Sequence, residues 1–129
     1  MIEKEYKVFE LKNGKKEITI LFKNVKHPEV LSSFFYSDVI PFAEWIKADF
    51  DKVLSGESKY EEVSGNVCLA EIRPDITKVY NNLIEDDEEY YATYCEVGTK
   101  EVRQLIEEWC NKVREFKKST MADMPTDGE

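Results

Sequence analysis

The longest regular pattern in the chain is a helical one near its C-terminal end. Val102, Leu105, Ile106, Trp109, Val113 and Phe116 recur at spacings of three and four, the period that stacks side chains on one face of an α-helix. Arg103, Gln104, Glu107, Glu108, Lys112 and Arg114 fall between them and are expected to face water. Thr99 is placed to cap the first turn, and Glu101 at the start with Lys117 and Lys118 at the end have the signs the helix dipole favours. A stripe this long needs a sheet or a second helix to cover it.

Upstream, the period changes to two. Residues 6–11 and 17–25 read as strands joined through Asn13-Gly14, a dipeptide suited to hairpin turns whose central residues take positive φ. Ile18, Ile20 and Phe22 alternate with Thr19, Leu21 and Lys23; Leu21 breaks the alternation and predicts that both faces are partly covered. Residues 26–36 carry His27-Pro28, which favours extended backbone before the proline, and then aromatics without a clear period. A helix follows from Asp38 or Pro41 to Leu54, with Phe42, Ile46, Phe50, Val53 and Leu54 on its buried face, Trp45 on its flank and Gly56 at the left-handed C-cap position.

Residues 60–63 suggest a short, charged edge strand, 67–73 a central strand apolar on both faces, and 76–83 a third strand of a meander. Five consecutive acids, Glu85, Asp86, Asp87, Glu88 and Glu89, predict a solvated loop, and residues 90–97 a final strand. The order ββαββββα predicts an α+β domain over residues 1–118, a mainly antiparallel sheet of about six strands covered by two helices. Residues 119–129, poor in apolar side chains and containing Pro125 and Gly128, are expected to form a disordered tail.

Composition narrows the function classes. A chain of 129 residues, 42% hydrophobic and 12% aromatic, has the make-up of one globular domain. No apolar run approaches the roughly 20 residues that span a bilayer, and the first residues lack the apolar core of a signal peptide. Cys68, Cys95 and Cys110 are odd in number and have no metal-ligand spacing, which fits buried thiols in a reducing cytoplasm. The net charge of −9 is uneven: residues 1–56 hold nine basic and nine acidic residues, and residues 57–129 hold nine basic and eighteen acidic ones. That balance disfavours nucleic acid and anionic membranes as partners and favours a basic protein; simple solubility is the bland alternative.

Candidate chemistry is sparse. His27 is the only histidine, so a histidine-rich metal site is excluded and His27 reads as a loop residue. A cysteine nucleophile would need a base within reach, and the cysteines read as buried. The acid run at 85–89 lacks the glycine-centred alternation of a calcium loop. It remains either a solvated tip or a phosphate-like surface for a partner's basic cleft, with Glu71 and Asp75, and Glu61 and Glu62 nearby, extending it. No cofactor, metal or catalytic residue is expected. Tyr80, Tyr90, Tyr91 and Tyr94 are candidate lining for a small-molecule or regulatory site on the concave face of the sheet.

Ser64-Gly65-Asn66, Glu71-Ile72, Asp75, the acid run, Cys95-Glu96-Val97 and Leu105-Ile106-Glu107-Glu108-Trp109 together give residues 60–117 a familiar look. The segment resembles small bacterial immunity proteins, the partners of polymorphic or contact-dependent toxins. The resemblance implies a non-enzymatic cytoplasmic inhibitor that binds one toxin domain, often a basic nuclease, and carries no interface residue across. With the charge asymmetry, it makes Glu85, Asp86, Asp87, Glu88, Glu89, Glu71 and Asp75 the expected partner-binding residues.

Overall fold

The computed structural model describes residues 2–122. Along the chain come β1 (Lys4–Glu10), β2 (Lys16–Phe22), α1 (Pro28–Ser33), a π-helical segment (Phe34–Val39), α2 (Ala43–Leu54), β3 (Glu61–Ser64), β4 (Cys68–Ile72), β5 (Ile76–Asn81), α3 (Asp87–Ala92), β6 (Tyr94–Gly98) and α4 (Thr99–Ala122). The class is α+β and every strand pair is antiparallel, as the pattern predicts. The six strands divide into two sheets, the hairpin β1–β2 and a four-stranded sheet in the order β3-β4-β5-β6. The aperiodic aromatic stretch after β2 accounts for the division. It folds into α1 and the π-helical segment, which bury Val30, Leu31, Phe34, Phe35 and Val39, and α1 touches β2 as well as β5 and β6.

The hairpin closes differently from the expected two-residue turn. Gly14 takes φ 86 and Asn13 does not have positive φ. Gly14 N–H donates to Leu11 O and Leu11 N–H to Lys15 O, so the loop is the three-residue kind, a tight turn followed by one left-handed glycine. Leu21 is exposed, so the outer face of β2 is not covered there, while Ile18, Ile20 and Phe22 enter the core. His27 is left-handed (φ 56) rather than extended; the chain turns there directly into α1, whose first turn accommodates Pro28. In α2, Ile46, Phe50 and Val53 are buried, Leu54 is exposed, and Gly56 takes φ 87 just past the C-terminus.

The predicted stripe of α4 lies in the core: Val102, Leu105, Ile106, Trp109 and Val113 are buried and Phe116 packs against them. Each such side chain removed from water contributes about 1.5–3 kcal/mol. Trp109 donates its indole N–H to Phe35 O at 2.8 Å and stacks on Tyr6 of β1 with ring centroids 6.2 Å apart. Two ion pairs tie α4 to α2, Arg103 to Asp51 at 2.9 Å and Lys47 to Glu107 at 3.5 Å. Thr99 does not act as the expected cap. Its hydroxyl is fully buried, donates to Arg73 O and sits 2.8 Å from the Thr77 hydroxyl, joining the start of α4 to β5 and the β4–β5 turn. The helix continues to Ala122, through the first residues of the expected tail, and residues 123–129 lie outside the described residues.

One polar anchor sits inside this frame. Asp38, carried by the π-helical segment, has no solvent exposure. Its Oδ1 accepts from Asn66 N–H (2.7 Å) and Val67 N–H (3.0 Å), and its Oδ2 from Cys68 N–H (2.8 Å). The carboxylate lies so close to Gly65 that a Cβ there would meet Asp38 Cγ at 2.5 Å. Removing an acceptor of this kind leaves buried N–H groups unpaired, at about 1–3 kcal/mol each. Asp38→Ala is therefore expected to lower stability by roughly 3 kcal/mol or more, and Gly65→Ala to be destabilising by the clash. Urea unfolding checks both; midpoints within error of the parent would remove Asp38 from the account.

Candidate functional site

Alternation divides the four-stranded sheet into two faces. Val63, Cys68, Ala70, Ile72, Thr77, Val79, Cys95 and Val97 are buried on the core side. The register lines up two rows on the other side. Glu62 stands opposite Glu71, Glu71 opposite Lys78, and Lys78 opposite Glu96; one step along, Leu69 stands opposite Tyr80 and Tyr80 opposite Tyr94. Like charges directly across a strand pair destabilise it, and the Glu62–Glu71 pair is such a contact. Arg73 offsets part of it, lying 3.6 Å from Glu71 with its guanidinium 4.7 Å from the centroid of Tyr60, whose hydroxyl donates to Glu62 at 2.7 Å.

The acid run is not a loop throughout. Asp86 caps α3, its carboxylate accepting from Glu89 N–H at 2.8 Å, and Asp87, Glu88 and Glu89 form the first turn. Carboxylates suit that position, where unpaired amides carry a partial positive charge. All five residues from Glu85 to Glu89 are exposed. The expected strand at 90–97 is correspondingly shorter, since residues 90–92 belong to α3 and β6 begins at Tyr94. Asp86 followed three residues later by Glu89 is a helix-start signature that the alternation of tyrosines masks.

This helix lays two tyrosines over the sheet. Tyr90 stacks on Tyr80 with centroids 5.2 Å apart and planes 16° from parallel; Tyr91 meets Tyr80 edge-on at 6.1 Å and Tyr90 at 5.0 Å, and Tyr94 lies 5.4 Å from Tyr80. The four tyrosines thus come together, filling the space between them ring on ring. A cleft of about 380 Å³ lies elsewhere, between the β1–β2 hairpin and α4, and is lined by residues such as Tyr36, Ile40, Trp109 and Phe116. Tyr80 donates to Glu71 at 3.4 Å and Tyr90 to Asn82 at 2.9 Å. Burial, with Glu71 next to it, pushes the Tyr80 phenol up to about 12, and burial with the Glu62 hydrogen bond does the same to Tyr60. Both are neutral donors at physiological pH.

Glu71 therefore shares a face with the tyrosines carried by the helix of the acid run. Asp75 does not: it lies in the β4–β5 turn, where its carboxylate accepts from Ile76 N–H, at the opposite end of β5 from the acid run and about 17–20 Å away along the strand. Glu61 falls on the core-side register; its charge and, above all, burial raise the carboxyl of Asp49 on α2. Glu96 joins the outer row and was not among the expected residues, although the alternation of β6 places it opposite Cys95 and Val97. The cysteines are buried, and desolvation pushes the Cys68 and Cys95 thiols up to about 12, so neither is a nucleophile at neutral pH. His27 Nδ1 has a carboxylate 3.7 Å away, that of Glu29. Among the described residues no group of three or more His, Cys, Asp and Glu could hold a metal ion, and no helix is long and apolar enough to cross a membrane.

Over 108 residues the chain is 36% identical to a Bacillus cereus protein named Immunity protein, the alignment covering 84% of this chain and 86% of that protein. No family model matches the chain, and no solved structure matches it.

Because Asp86 caps α3 while Asp87 lies in its first turn without a capping bond, the two acids are expected to separate by mutation. Asp86→Ala should weaken α3 by about 1 kcal/mol and Asp87→Ala by a few tenths. Amide exchange at Tyr90 and Thr93, whose N–H groups donate to Asp86 O and Glu89 O, reads the difference; equal protection in both variants would show that the cap does not hold the helix.

Proposed function

The chain belongs to the same family as that immunity protein, and on that premise we propose that it is a non-enzymatic cytoplasmic inhibitor that neutralises a cognate toxin by binding it. The binding surface is the acidic outer side of the four-stranded sheet together with the first turn of α3. The observation that carries this reading is the exposed run Glu85–Glu89 beside a sheet face that holds Glu62, Glu71 and Glu96 against Lys78 and Arg73. The acidic excess of residues 57–129 is concentrated in the segment that builds this side of the molecule.

The complementary partner is basic. A toxin that acts on nucleic acid must carry cations to bind phosphate, so a nuclease is the toxin class this surface fits best. An inhibitor that presents carboxylates to such a cleft competes with the substrate on its own terms and needs no chemistry. Charges on the rim of an interface act mainly on the encounter, raising the association rate and making it sensitive to salt. Asp75, remote from the acid run, contributes little to this surface.

Growth of cells expressing the open reading frame adjacent to this gene, with and without this chain, tests the reading directly. Rescue from a toxic neighbour supports it, and a harmless neighbour or failed rescue counts against it. The double variant Asp87→Lys/Glu88→Lys leaves the Asp86 cap in place. It is expected to slow association with the toxin by about tenfold or more at low salt, to change dissociation little, and to flatten the dependence on ionic strength. Unchanged association kinetics would take the acid run out of the interface.

A further inference from the structure

We propose that Tyr80, Tyr90, Tyr91 and Tyr94 form the contact anchor of this face, a platform that receives arginine or lysine side chains of the toxin. The proposal rests on the inhibitor reading and assigns the short-range part of binding to the tyrosines rather than to the acids.

Three observations lead to it. First, the rings converge from three elements, β5, α3 and β6, so their placement depends on the whole sheet and not on one flexible loop. Tyr80 is only 8% exposed, yet Tyr91 above it is 67% exposed and Leu83, in the connection leading to α3, is 68% exposed. Large apolar groups held at the surface by a rigid support are the residues that anchor protein interfaces. Tyrosine in particular offers much contact area with few rotamers to fix.

Second, the same face already holds two of the chain's own cations over its tyrosine rings, the geometry an incoming cation would repeat on the exposed ring of Tyr91. Lys78 Nζ lies 5.2 Å from the centroid of Tyr94, and the Arg73 guanidinium 4.7 Å from that of Tyr60. An aromatic face attracts a cation through its quadrupole, and more strongly once water is excluded.

Third, the carboxylates surround the rings in an order that suits an incoming cation. Glu71 is hydrogen-bonded to Tyr80 and stands opposite Glu62. Arg73, 3.6 Å from Glu71, offsets only part of the repulsion between these two like charges, and a further guanidinium resting on the rings beside them would relieve more of it. A basic protein segment satisfies all three features. A second copy of this acidic chain would bring carboxylate against carboxylate.

The test measures binding of the purified product of the adjacent open reading frame to the parent chain, Tyr91→Ala, Tyr91→Phe and Tyr94→Ala, with association and dissociation rates resolved. Tyr91 is 67% exposed and meets the rings of Tyr80 and Tyr90 edge-on, so Tyr91→Ala should fold; circular dichroism and the urea midpoint verify this for each variant. Tyr91→Ala is expected to lose about 30-fold in affinity, chiefly through faster dissociation. Tyr91→Phe, which keeps the ring face, should stay within about threefold of the parent. Affinity of both alanine variants within about twofold of the parent, where the parent binds, overturns the platform alone. Failure of the parent to bind overturns the inhibitor reading and the platform together. A parent dimer in sedimentation that Tyr91→Ala dissolves would give the face to a second copy and also overturn the proposal.

Discussion

Asp38 accepts three backbone hydrogen bonds from residues 28 to 30 positions further along the chain, and it does so without contact with water. A carboxylate is tolerated away from solvent only when its lone pairs are met by donors. Here the donors are the N–H groups of Asn66, Val67 and Cys68, the turn between β3 and β4 and the first residue of β4. The side chain therefore sets where β4 begins. Cys68 then pairs with Asn81 and Leu69 with Tyr80, and Val67 O accepts from Asn82 N–H just beyond β5. The exit of β5 toward α3 is positioned by the same contact. A helical segment on one side of the core thus determines the placement of a tyrosine on the far face of the sheet.

The π-helical turn is what makes that reach available. Its wider winding, closing i→i+5 rather than i→i+4, lets Phe34, Phe35, Asp38 and Val39 all be buried within six residues. Two of the four meet other rings edge-on, Phe34 with Phe35 and Phe35 with Phe22, and Phe35 also offers its carbonyl to Trp109. The segment is the hub between hairpin, α4 and sheet. The element that touches both the hairpin and the four-stranded sheet is α1, which meets β2, β5 and β6 and leads directly into this segment.

Much of this was legible where local chemistry decides local structure. The α4 stripe from Val102 to Phe116 and the strands around Asn13-Gly14 follow from period and turn residues alone, as does Gly56 after α2. The structure departs from the pattern where one local signal masks another or where tertiary context overrides both. Tyr90 to Tyr94 alternate as a strand does, but the Asp86 cap and the acids of the first turn make residues 87–92 a helix. Thr99 has the chemistry of a cap, yet its hydroxyl is drawn to Arg73 O and Thr77 by the approach of β5. Asp38 was indistinguishable from any acid at a helix start, because its partners are distant in sequence. For the candidate surface, the charge distribution along the sequence points to the acidic half and to Glu71 and the run at 85–89. It could not tell that Asp75 lies at the other end of β5, or that Glu96 stands in the same row as Glu71, since both facts belong to strand register.

The face that results combines two forces of different range. Exposed carboxylates act over a Debye length, about 8–10 Å at moderate salt, and act on any cation that approaches. Tyrosine rings act only in contact and only on a group of the right shape. If acidity alone were the device, the acid run could sit on any loop, and a capped helix would be unnecessary. Instead one of the acids, Asp86, also caps the helix that sets Tyr90 and Tyr91 over Tyr80. Carboxylates in the first turn suit the helix dipole and so favour the helix that carries two of the rings. On the inhibitor reading, charge and ring surface meet at the start of α3, where Asp86 is the residue that belongs to both: it is one of the acids and it caps the helix that carries Tyr90 and Tyr91.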